Sequence, residues 1–196
     1  LTQTWDAMAQ LGLRDHIGGG FFRYTVDPGW NTPHFEKMLY DNALLARLYL
    51  RASEVLRRPA YAEVARETLE FMRAEMRDPS GAFVASLSAL DASGVEGGYY
   101  LWDVDGLTAV LNEHERDVFR RAYGMNDAPP FEAGYLPIPA HADIPPEHRA
   151  MLEPARAKLK TARSKRKLPR DTKRLAGWNG LALAAFADAA RRTGSE

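Results

Sequence analysis

Pro59 interrupts the longest amphipathic stretch of this 196-residue chain, and that break constrains the fold more than any other feature. Ahead of it, Thr32 and Pro33 give a helix start, a hydroxyl cap followed by proline at the first helical position, and the spacing predicts a helix over 33–57. Beyond it, Tyr61, Val64, Ala65, Thr68, Leu69, Met72 and Met76 recur at helical spacing, so a second helix is expected over 60–76. Proline inside a helix removes a hydrogen bond and clashes with the preceding turn. Two helices separated by so short a break fold back on each other as an antiparallel αα-hairpin.

The same form recurs along the chain. A helix is expected over 2–11, closed by Gly12, and another over 105–123 with a break near Asn112. Others are expected over 147–167, broken at Pro154, and over 178–192, whose alanines and leucines place it inside. Asp78-Pro79-Ser80-Gly81 reads as a turn. Segments 82–86 and 99–102 read as two short strands, and the proline-rich 125–146 as extended connection. The expected architecture is mainly α: helical hairpins with a small two-stranded β element, in one domain over 1–196.

Composition narrows the function classes. Formal net charge is zero, so no global field draws the chain to nucleic acid or membrane, and neither is expected as a partner. Ten Lys or Arg residues lie between Arg156 and Arg174 against the single acid Asp171. A solvated helix face is the expected outcome, because the aromatics of a nucleic-acid groove are not interleaved with them. Cysteine is absent, which excludes disulfides, thiolate metal sites and thiol catalysis and fits a reducing, cytoplasmic compartment. His114, His141 and His148 have no partners at metal-ligand spacing, and neither a metal nor a cofactor is expected. The glycine triplet 18–20 lacks the Lys-Ser/Thr of a phosphate loop. Leu1 belongs to an amphipathic pattern with Trp5, Met8 and Ala9, so the sequence reads as part of something longer.

On the helix expected over 33–57, Phe35, Met38, Leu39, Leu45, Leu48, Tyr49, Val55 and Leu56 fill a wide apolar arc. His34, Lys37 and Asp41 fall inside or beside that arc, only in its first two turns. Polar groups persist in such a place when they pair with one another or face a wet cavity, since an unpartnered buried group costs about 1–3 kcal/mol. Two readings stay open: a Lys37–Asp41 ion pair with His34 on a neighbouring carbonyl, or a pocket at the helix mouth. In the pocket reading His34 accepts a proton or a hydroxyl hydrogen bond, and Asp41 binds hydroxyls or does acid–base work. Phe21, Phe22, Tyr24 and Trp30 crowd the loop before it, either to stack on sugar faces or to plug the end of a bundle, with Arg23 and Asp27 beside them.

The stretch DHIGGGFFRYTVDPGWNTPHFEKMLYDNALLARLYL resembles the signature of the thioredoxin-domain-containing, spermatogenesis-associated protein family. SALDASGVEGGYYLWD, 88–103, resembles its acidic loop ahead of an aromatic strand, and LPRDTKRLAGWNGLALAAFADAA, 168–190, its segment leading into an inner helix. The resemblance implies an α/α toroid related to six-hairpin glycosidases and to N-acylglucosamine 2-epimerases, normally preceded by a thioredoxin-like domain. With no thioredoxin pattern and about six main helices, the chain reads as roughly half of the toroid. Within the matched motifs, Asp91 and Glu96 keep acidic positions of the loop, whereas Ala89 and Ser93 replace carboxylates and Asp171-Thr172 stands for a pair of aspartates.

A carbohydrate-active fragment, epimerase-, isomerase- or glycosidase-like and inactive alone, is therefore the first functional expectation. His34, Asp41 and Glu96 are its candidate catalytic groups. Arg23, Tyr24, Trp30, Lys37, Asp91, Trp178 and Asn179 are candidates for binding a sugar or uronic acid. The alternative is a non-catalytic helical module whose faces dock the rest of the toroid or a second copy.

Overall fold

The computed structural model describes residues 2–140 and 144–193, so His141 and Leu1 lie outside the described residues. Seven α-helices and two small antiparallel sheets are arranged as α1(Thr2–Gln10), β1(Tyr24–Thr25), β2(Pro33–His34), β3(Lys37–Met38), α2(Leu39–Val55), α3(Pro59–Phe71), β4(Ser86–Leu87), α4(Val104–Val110), α5(Glu113–Ala122), α6(Pro146–Arg163), β5(Arg170–Asp171) and α7(Ala176–Thr193). A π-helical turn, Met72–Met76, extends α3. β1 pairs with β2, and β3–β4–β5 form the second sheet, antiparallel throughout.

The αα-hairpin forms around Pro59, which occupies the start of α3 rather than a helix interior. α7 runs parallel to α2. Tyr40 and Trp178 meet near the two N-termini at 4.8 Å, while Arg47 bonds Asp188 and Arg192 reaches the Leu50 carbonyl further along. The main core lies between α1, α2, α3 and α7 and includes Phe21, Tyr49, Leu69 and Met72. A second cluster, with Trp102, Leu107, Phe119 and Leu159, joins α4, α5 and α6. Phe22, Phe35, Tyr99 and Tyr100 form a third.

Several expectations change. The helix expected from Pro33 begins at Leu39, and residues 33–38 are extended. Burial there alternates, with Pro33, Phe35 and Lys37 inward and His34 and Glu36 outward, the period of two that belongs to a strand. The two predicted strands do not pair with each other: β4 sits between β3 and β5, and residues 97–100 form a turn shortly before a single bridge from Trp102 to Tyr135. α6 passes through Pro154 without a break, and that residue is exposed. The break near Asn112 is real. Asn112 accepts from the Glu115 N–H at 2.9 Å and Glu115 returns the bond at 3.1 Å, a capping box that starts α5. α7 is only half inside: Ala182 and Ala185 are buried, but Leu183 is 70% exposed. None of the helices of the described residues is long and apolar enough to cross a membrane.

Candidate functional site

Because residues 33–38 alternate, His34 and Lys37 point to opposite sides. Lys37 is fully buried, and its Nζ donates to Asp15 Oδ2 at 2.7 Å and to the Gly19 carbonyl at 2.8 Å. Arg163, at the end of α6, grips the same carboxylate with two bonds of 3.0 and 2.8 Å. The backbone N–H groups of Ile17 and Gly18 complete the set at 3.0 Å each. Burial works against the Asp15 carboxylate, but Arg163 and Lys37 hold it well below the usual range. Burial also lowers Lys37, to about 8, despite the attraction of Asp15. Phe71 lies 4.3 Å and Phe22 4.9 Å from the ammonium. This sealed triad ties the glycine loop to β3 and α6. Lys37, a candidate binding residue, is sealed from solvent, and its carboxylate partner is Asp15 rather than the Asp41 of one of the two open readings.

His34 faces outward over a cavity of about 850 Å³. Its Nδ1 lies 3.4 Å from Glu96 and its Nε2 3.7 Å from Glu36, within ion-pair reach. Tyr24, brought opposite His34 by the β1–β2 register, stacks on the ring with centroids 5.0 Å apart. Glu36 accepts from Arg23 at 3.0 Å and lies 3.4 Å from the Ser86 hydroxyl. Val26, Phe35, Phe131 and Glu132 complete much of the cavity wall. Glu96 is carried by a loop that Asp91 shapes, accepting from Ser93 Oγ at 2.7 Å, Ser93 N at 2.8 Å and Val95 N at 3.0 Å.

Asp41 is in the first turn of α2 and half-buried. Its Oδ2 is buried without a hydrogen-bond partner. Burial pushes its carboxyl up to about 6; Arg23 opposes the shift and Glu36 adds to it. Beside it Tyr40 meets Trp178 edge-on. Asp41 is thus a carboxyl with a raised proton affinity that does not line the cavity itself but is linked to it through the charges of Arg23 and Glu36.

This chain is related in sequence to spermatogenesis-associated protein 20 over 56% of its length. Identity to the Homo sapiens protein is 40% over 118 residues, and to the Mus musculus protein 39% over 118 residues. An uncharacterised protein of Caenorhabditis elegans is 32% identical over 120 residues, 58% of this chain and 16% of its own. The chain spans about 15% of the length of the mammalian relatives it matches. No protein-family model matches it.

The structure brings Arg23, Tyr24, His34 and Glu96 together, with Asp41 coupled to them through Arg23 and Glu36. The remaining candidates are elsewhere. Trp30 packs against the main core, and its carbonyl accepts the Gly12 N–H at 2.7 Å. Asn179 pins Phe83, accepting its N–H at 2.8 Å and donating to its carbonyl at 3.0 Å. Asp91 organises its loop, and Trp178 reaches the cluster only through Tyr40. Sequence reasoning passed over Glu36, Tyr40 and Glu132 as site residues. The alternation of His34, Phe35, Glu36 and Lys37 was the available signal for Glu36; nothing local distinguishes Glu132. Among the described residues, no group of three or more His, Asp or Glu side chains is arranged to hold a metal ion.

Proposed function

We propose that the His34 cavity binds a hydroxyl-rich, sugar-like ligand, within a helical unit that is part of a carbohydrate-active α/α toroid. The observation that carries this reading is His34 itself, stacked on Tyr24 and set between Glu36 and Glu96 at the cavity wall. Rings stack on the apolar faces of sugars while carboxylates and imidazole take hydroxyl hydrogen bonds. Asp41, with its proton affinity raised to about 6, is the proposed proton donor, and His34 with Glu96 the proposed acceptors. The parallel packing of α2 and α7 suits neighbouring inner helices of such a ring. The relatives' names specify no reaction, so substrate and chemistry rest on the site alone. A panel of neutral, amino and acidic sugars in a thermal-shift assay tests the reading. Stabilisation that disappears in His34→Ala and falls in Asp41→Asn supports it; no shift with any sugar removes it.

The interaction-module reading has an observation of its own. Leu44, Leu48 and Val55 on α2 and Leu183 on α7 are 41%, 46%, 70% and 70% exposed. Apolar faces of this kind drive association. Concentration-dependent assembly in sedimentation, abolished by Leu48→Glu with Leu183→Glu, favours that second reading.

A further inference from the structure

The electrostatics of the His34 cavity select among sugars. Two carboxylates, Glu96 and Glu132, line it, and no Lys or Arg does among the described residues. Behind His34 stands a third carboxylate, Glu36. Arg23, the neighbouring cation, already donates to Glu36 at 3.0 Å. Apolar walls of Pro33, Phe35 and Phe131 flank these groups and strengthen their field relative to open water. A carboxylated ligand would enter this cavity to face like charges with no free cation to meet it. An ammonium group would meet acceptors.

Resting on the sugar-binding reading, we infer that the ligand carries a free ammonium group and no carboxylate: an unacylated amino sugar. Its ring packs on the apolar and aromatic wall, its hydroxyls meet His34, and its ammonium donates to Glu96 and Glu132. Hydrogen bonds to charged groups are worth about 1.5–3 kcal/mol against about 0.5–1.5 for neutral pairs, so replacing a hydroxyl by an ammonium tightens binding about fivefold or more.

Calorimetric titration of the whole chain with glucosamine, glucose, N-acetylglucosamine and glucuronic acid tests this. The expected order is glucosamine tightest by about fivefold or more, the two neutral sugars next and glucuronic acid weakest. Glu96→Gln and Glu132→Gln, both at exposed loop positions, lower glucosamine affinity more than they lower glucose affinity, so the glucosamine advantage shrinks. Glucose binding as tightly as glucosamine, or glucuronic acid binding tightest, overturns the ammonium inference and leaves the sugar-binding reading standing. Binding by none of the four overturns both.

Discussion

Single residues divide this region between scaffold and site. Lys37 and Asp15 are at 0% and 1% exposure, deep enough that desolvating each ion costs several kcal/mol and only mutual pairing offsets it. Asp15→Asn therefore destabilises the chain by about 3–5 kcal/mol in chemical denaturation, leaving two buried cations, Lys37 and Arg163, without the carboxylate they share. Gly18→Ala has a similar effect by another route, since a Cβ there overlaps the Arg163 guanidinium. Two further groups give the stability curve a signature in pH. Burial, helped by the charge of Arg14, lowers His16 from 6.5 to about 3. The unfolded chain takes up that proton below pH 6.5 and the folded chain refuses it until about 3. Stability is full above that window and falls by about 1.4 kcal/mol per pH unit as acid is added within it. His16→Gln flattens this slope in denaturation series between pH 4 and 7. Asp41 acts oppositely. Its folded carboxyl, at about 6 against 3.8, keeps a proton the unfolded chain releases, so its contribution is lost as pH rises through that range. Asp41→Asn is accordingly more stable than the parent at pH 7, and the difference closes near pH 4.

At the level of elements, the helices were largely legible and the strands were not. Periodicity over 61–76 and the Asn112–Glu115 capping pair report local physics, and both appear where the spacing puts them. The start of α2 misled because Thr32-Pro33 is a good helix opening by chemistry, yet β1 and β4 supply pairing that local sequence does not display. The basic run at 156–174 is mostly the solvated surface expected of it, with Lys158, Lys160, Lys165, Lys167, Arg170, Lys173 and Arg174 exposed, but two of its arginines are put to structural use. Arg163 turns inward to Asp15, and Arg166 donates to the carbonyls of Gly98, Tyr99 and Leu101 while lying 4.0 Å from the Trp102 ring. The end of α2 carries a testable local conflict. Arg57 adopts φ 52° just past the helix, where its N–H bonds the Glu54 carbonyl and glycine fits better. Arg57→Gly raises the unfolding free energy by about 0.5–1 kcal/mol, measured by denaturant midpoint at unchanged slope.

For the molecule as a whole, extended segments packed against helices bring together what the sequence keeps apart. β2 and the 90–98 loop meet at His34 and Glu96, the loop 130–133 closes the cavity wall, and Asp41 on α2 is coupled to them through Arg23 and Glu36. Motif reading found five members of that group, Arg23, Tyr24, His34, Asp41 and Glu96, because they sit in or beside unusual glycine and aromatic patterns. It missed Glu36 and Glu132 because their roles come from strand register and a distant loop. Its helical angle placed His34 and Lys37 together, and the fold sets them on opposite sides, one open and one sealed. That separation gives the most direct test of the site: the imidazole signals of the chain followed by NMR during titration with glucosamine. The His34 ring signals should shift saturably, while those of buried His16 stay fixed. Unmoved His34 signals through tens of millimolar ligand, or His16 and His34 shifting alike, would contradict the assignment of this cavity as a binding site.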